Sequence, residues 1–182
     1  MPKKIVVIPG DGIGREITES AVAVLQEIDK KYGLDMVFSY HDAGGTAYDK
    51  FGVPLPDETL AAAKAADAVL FGAVGGDKWD NLKPDLRPER AILGLRKGLG
   101  LYANLRPVKT MESLIDYSPL KPDIIRGTDI LIVRELIGGI YFGEKCESEK
   151  YNGTERAWDL ENYSIPEVER IVTLAMESAR RR

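Results

Sequence analysis

Three short, uninterrupted apolar runs most limit what this chain can fold into. They are Lys4-Ile-Val-Val-Ile8, Ala68-Val-Leu-Phe71 and Asp129-Ile-Leu-Ile-Val133. Runs without polar alternation suit strands buried on both faces, as in a parallel sheet covered by helices. The intervals between them carry a different period. Ile17, Ala21, Val24, Leu25 and Ile28 recur at helical spacing after the first run, and Gly33 is a stop signal. Met36 to Tyr40 reads as a second strand. Pro56-Asp57 opens another helix, with Asp57 as N-cap and alanines filling its body. Strand, helix, strand, helix, strand predicts right-handed crossovers and an α/β fold with a mostly parallel sheet and flanking helices.

The later part of the chain is less regular. Residues 72 to 88 show little periodicity and read as a long loop, which is itself a hint of function. Glu89 to Lys97 is helical, with Ile92, Leu93 and Leu95 apolar and Gly98 and Gly100 ending it. Leu101 to Leu105 reads as a strand and Thr110 to Pro122 as irregular. Residues 144 to 150 and 155 to 160 flank Asn152-Gly153, the strongest two-residue hairpin signal, so a projecting β-hairpin arm is expected. A polar hairpin of this kind is marginal alone and pairs against something. Ser164-Ile-Pro-Glu167 is a capping box, and Val168, Ile171, Val172, Ala175, Met176 and Ala179 form the apolar face of a last helix.

Composition narrows the function classes. A net charge of −4 over 182 residues argues against non-specific binding to nucleic acid or to an anionic membrane surface. No apolar run approaches the roughly 20 residues that span a bilayer. The single cysteine, Cys146, excludes an intrachain disulfide and fits a reducing, cytoplasmic setting.

Several residue patterns bear on chemistry. Gly10-Asp-Gly-Ile-Gly14 lies between a strand and a helix, but a dinucleotide fingerprint needs a third glycine where Arg15 stands. A tight turn that lets the helix pack close is favoured over a phosphate cradle. Arg96, Arg106 and Arg134 form a second pattern. Arg134 closes an apolar run, Arg106 closes another and precedes Pro107, and Arg96 lies on the helix before it. Arginine forks match carboxylates bidentately, so the three could hold a small dicarboxylate; solvated surface charge is the competing reading. Tyr141, seven residues beyond Arg134, is either a proton donor or acceptor among cations or an aromatic packed at the start of the arm. Trp79 is either packing or a ligand stack.

The motifs PGDGIG, FGAVGGDKWD, RPERAILGLRKGLGLYANLRPVK and ILIVRELIGGIYFGE resemble the isopropylmalate dehydrogenases. These belong to the β-decarboxylating isocitrate/isopropylmalate dehydrogenase family, and the likeness runs over essentially all 182 residues. It implies a non-Rossmann α/β fold. Residues 1–100 would be the N-terminal part of a first, cofactor-side domain. Residues 101–182 would be a partial second domain with a dimerisation arm at about 140–163. The implied reaction is NAD-dependent oxidative decarboxylation of 3-isopropylmalate, on the route to leucine, aided by Mg or Mn.

By the same resemblance Arg96, Arg106 and Arg134 grip the malate carboxylates, and Tyr141 helps protonate the enol left by decarboxylation. Gly76, Asp77, Lys78, Trp79, Asp80 and Glu89 line the NAD site. Glu89, Ile92 and Leu93 meet the substrate's side group. Apolar Ile92 and Leu93 suit an isopropyl group, and the serine that isocitrate-type enzymes use for a third carboxylate is missing between Arg87 and Arg106. Such a pocket choice is worth about 1–3 kcal/mol per methylene. Departures from the pattern are Arg15 and Asp77 where proline is common, and Ile137 where threonine is. The resemblance also places the catalytic lysine, the metal-binding aspartates and the adenosine-binding segment beyond Arg182. The chain is therefore expected to be incomplete relative to the family and inactive alone, working as a homodimer through the arm or with a complementing chain. The alternative is a non-catalytic remnant or binding module that keeps the arginines and the arm.

Overall fold

The computed structural model describes residues 1–182, which divide into two compact units, Met1–Gly100 and Leu101–Arg182. In the first unit, β1 (Lys3–Gly10), β2 (Met36–Tyr40) and β3 (Ala68–Ala73) form a parallel sheet in the order β2-β1-β3. The central strand carries the first apolar run, and Val6, Val7 and Ile8 are fully buried. Val6 and Ile8 pack with Ala43, Ala63, Ala91 and Leu95. Ala63 comes from α3 (Asp57–Ala65), and Ala91 and Leu95 from α4 (Glu89–Leu99). Val7 points to the opposite face, where α1 (Gly14–Tyr32) lies against β1 and β3.

Gly10-Asp-Gly-Ile-Gly14 is the tight turn that its pattern favours. Gly10 has φ +76°, and a Cβ there would sit 2.0 Å from the Ala73 carbonyl oxygen. At Gly14 a Cβ would meet the Pro9 carbonyl oxygen at 2.3 Å. α1 ends on left-handed Gly33, as its sequence predicts. Two details differ from expectation. A short helix, α2 (Gly45–Phe51), stands where none is predicted, and Pro56 rather than Asp57 occupies the N-cap of α3.

The second unit departs further. β4 spans Ala103–Lys109 and pairs antiparallel with β5 (Asp129–Glu135), so the third apolar run is not a parallel strand buried on both faces. Ile130 and Ile132 are about half exposed. A 3-10 stretch, Glu112–Tyr117, and the short α5 (Pro122–Ile125) join the two strands, and Thr110 N–H donates to the Thr128 carbonyl across the connection at 3.0 Å. The arm follows as β6 (Lys145–Tyr151) and β7 (Thr154–Asp159), joined by Asn152 and Gly153, both at positive φ. Two such residues give the hairpin turn whose twist matches its strands. α6 (Ile165–Arg181) begins at the expected capping box, where the Glu167 carboxylate accepts from both the backbone N–H and the hydroxyl of Ser164 at 2.7 Å. Its apolar residues split between two faces. Ala175 and Ala179 face Leu131 and Val133 of β5, while Val168, Val172 and Met176 remain exposed.

Candidate functional site

α4 presents two opposite faces. With 3.6 residues per turn, Ala91, Gly94, Leu95 and Gly98 share one side and Glu89, Ile92, Leu93 and Arg96 the other. The first side enters the core: Ala91 and Leu95 are buried, Leu55 lies over Gly94 and Leu60 over Gly98. The second side gathers four of the residues that the resemblance singles out. Glu89 is exposed, and Ile92, Leu93 and Arg96 are half-buried.

The loop before α4 is more ordered than its sequence suggests, with 3-10 turns at Asp77–Trp79 and Pro84–Leu86. Lys78 Nζ donates to Asp49 Oδ2 at 2.6 Å, and Trp79 Nε1 donates to Asp49 Oδ1 at 3.1 Å. Both bonds, the lysine's foremost, hold the Asp49 carboxyl below its ordinary pKa. The indole also fills the space beside Gly45, where a Cβ would meet it at 2.3 Å. Trp79 is thus packed against α2. Asp77 and Asp80 are exposed. Gly75 and Gly76 have φ of +111° and +154°, and a Cβ on Gly75 would come within 2.9 Å of Glu89 Oε1. The Glu89 carboxylate therefore lies against the loop backbone at Gly75, in space that a side chain there would take. One determinant of this loop escaped the sequence reading. Asp11 is buried, and its carboxylate accepts hydrogen bonds from the backbone N–H groups of Gly45, Thr46 and Gly75 at 2.8, 2.7 and 2.9 Å.

In the second unit the β4–β5 register sets the arginines. Asn104 lies opposite Arg134, and Arg106 opposite Ile132. Because side chains alternate, Asn104, Arg106, Ile132 and Arg134 share one face of the ribbon, with Arg106 and Arg134 diagonal neighbours about 7–8 Å apart at their Cα atoms. Arg106 does not close its strand as expected; it stands mid-strand, since β4 continues through Pro107 to Lys109. Its Nε donates to Asn104 Oδ1 at 3.1 Å. Two-residue spacing in a strand is the signal that would have included Asn104. Arg134 is the penultimate residue of an antiparallel strand, not a parallel one. Its guanidinium lies over the Tyr141 ring, 5.4 Å from the centroid. These two side chains line a cleft of about 320 Å³ with Glu135, Ile140, Glu161 and Tyr163.

The residues match the model of the isocitrate/isopropylmalate dehydrogenase family over positions 4–182. Among curated relatives, a 3-isopropylmalate dehydrogenase of Geobacillus kaustophilus is 52% identical over 179 residues, covering 98% of this chain and 48% of that one. One from Clostridium acetobutylicum is 53% identical over 180 residues, covering 98% and 50%. Among solved structures, a β-decarboxylating dehydrogenase of Thermococcus kodakarensis superposes with a TM-score of 0.67 at 36% identity, covering 98% of this chain and 46% of that one. An isocitrate dehydrogenase of Methylococcus capsulatus gives 0.73 at 30% identity, covering 98% and 48%. The chain belongs to the isocitrate/isopropylmalate dehydrogenase family. It spans about half the length of the curated relatives it matches.

Proposed function

We propose that the chain supplies the dicarboxylate-binding and proton-donating part of a 3-isopropylmalate dehydrogenase. The observation that carries this reading is the shared ribbon face of Arg106 and Arg134 with the Tyr141 ring against Arg134. Two forks on one face suit two carboxylates, since each presents paired N–H donors in a plane. Arg96, Ile92 and Leu93, which belong to the first unit, are assigned to the substrate by the resemblance alone. The likeness to relatives named 3-isopropylmalate dehydrogenase supports that substrate.

NAD, when bound, would supply the hydride acceptor, and by the resemblance Gly76, Asp77, Lys78, Trp79, Asp80 and Glu89 are the residues that would line its site. The substrate alcohol would lose a hydride from its carbinol carbon to NAD and a proton from its hydroxyl to a base that these residues do not supply, giving a β-keto acid. The bond to the carboxyl group then breaks, CO2 leaves, and the electron pair stays as an enol or enolate. The arginines orient the acid throughout, and the Tyr141 hydroxyl donates a proton to the enol carbon. No three His, Cys, Asp or Glu side chains come together here to hold a metal ion, so no step is routed through one on these residues. By the resemblance, the metal ligands and the lysine lie in the half of the relatives that this sequence does not match.

Isothermal calorimetry with 3-isopropylmalate tests the arginine site. The wild-type chain gives a binding isotherm, and Arg134→Ala weakens it at least tenfold, as loss of a charge-assisted bidentate contact requires. Equal heats for the two proteins remove the assignment. Co-expression with the complementing half and an NADH assay then tests turnover, and absence of NADH with either Mg or Mn sinks the enzymatic reading.

A further inference from the structure

Beyond the groups that would touch substrate, and resting on the reading of Arg134 and Tyr141 above, we propose that Glu135 is a positioning residue for that pair. Its side chain is only 9% exposed and ends β5 one residue after Arg134. One carboxylate oxygen, Oε2, accepts hydrogen bonds from the backbone N–H groups of Ile137 at 2.8 Å and Gly138 at 2.7 Å. The other, Oε1, pairs with the Arg170 guanidinium of α6. Arg170 in turn lies over the Tyr102 ring at 4.9 Å. The carboxylate therefore ties three things together: the strand that carries Arg134, the loop that leads to Tyr141, and the helix behind both.

The loop is held from its other side as well. Gly139 N–H donates to the Asn162 carbonyl at 3.0 Å, and left-handed Gly139 lets Tyr163 approach, its Oη being 2.3 Å from where a Cβ would stand. Gly139 opens the 3-10 turn that contains Tyr141. With the loop clamped between Glu135 and Tyr163, the Tyr141 ring lies against the Arg134 guanidinium. Without the Glu135 acceptor, the N–H groups of Ile137 and Gly138 must find other partners or water, and the loop loses the bond that joins it to the arginine strand.

Two double variants of the 182-residue chain separate this role from simple helix docking, because both lack the ion pair. Glu135→Gln with Arg170→Met keeps a carbonyl acceptor for the loop, whereas Glu135→Leu with Arg170→Met does not. The readouts are the nuclear Overhauser contact between the Arg134 side chain and the Tyr141 ring, amide hydrogen exchange at Ile137 and Gly138, and calorimetry with 3-isopropylmalate. The glutamine variant retains the contact and binds within about twofold of the wild type. The leucine variant loses the contact, exchanges these amides at least about tenfold faster and binds about tenfold more weakly. A leucine variant that keeps the wild-type contact and exchange rates overturns the proposal. If the wild type fails to bind the dicarboxylate, the functional reading falls while the contact and exchange data still decide the role of Glu135. If both variants unfold, exchange in the wild type decides: Ile137 and Gly138 amides as fast as those of the exposed Asn152-Gly153 turn overturn it.

Discussion

The Asp49 carboxylate, by holding Lys78 and Trp79 at once, fixes the middle of the loop that precedes α4. A carboxyl whose folded-state pKa lies below its unfolded value adds stability above the unfolded value, and this is lost as pH falls through the folded one. For Asp49 the loss falls below about pH 4, the unperturbed carboxylate range. In a Trp158→Phe background, the emission of Trp79 should therefore change as pH drops below about 4, and Asp49→Asn should abolish that acid transition and leave the indole more mobile at neutral pH. Identical, flat titrations of both proteins would show that the carboxylate does not anchor the loop. None of this was readable along the chain, because Asp49 and Trp79 are separated by 30 positions and meet only once α2 exists. The same holds for Asp11 and Gly75, 64 positions apart.

Elements built on a local pattern were legible, and those built on a partner were not. The strands of the parallel sheet, the hairpin turn, the Gly33 stop and the capping box all follow from short-range chemistry: apolar runs, αL-tolerant residues and a serine with its glutamate. The antiparallel pairing of β5 is a different matter, since an apolar run does not state which strand lies beside it. Pro107, which the sequence reading placed outside β4, sits within that two-stranded ribbon, as proline can in a strand with one open edge. Glycines in two elements show how differently one residue type is used. At Gly10 an alanine must adopt φ +76° with its Cβ against a backbone oxygen, so Gly10→Ala should destabilise by about 2–5 kcal/mol in urea unfolding. At Gly98 the obstacle is the tip of Leu60, 2.7 Å away, and the gain in helix propensity of about 1 kcal/mol offsets its displacement. Gly98→Ala should stay within about 1 kcal/mol of the wild type. Similar losses at both sites would refute the distinction.

Across the whole molecule, apolar side chains remain on the surface of both units. Val24 and Ile28 on α1, Ile130 and Ile132 on β5, and Val172 and Met176 on α6 are each at least about a third exposed. Contiguous exposure of this kind marks interaction surface or aggregation liability. The purified chain is accordingly expected to bind the dye ANS while keeping its helical circular dichroism, and a co-expressed polypeptide matching the other half of the relatives should reduce that binding. Dye binding unchanged by the second polypeptide would show that these faces are not where it docks. No helix is long and apolar enough to cross a membrane.

The bond between Glu135 and Arg170 also has a consequence in time. A nascent chain extends by about 5–20 residues per second, so the 35 positions that separate the two take about 2–7 s to add. During that interval the loop bearing Tyr141 and its Glu135 acceptor have been synthesised, but Arg170, the ion-pair partner of that carboxylate, has not. The ribbon face proposed to bind a dicarboxylate thus gains the support of α6 only after the N-terminal sheet has had time to form. A synonymous change that slows translation between codons 135 and 170 would lengthen the period in which this segment is open to proteases.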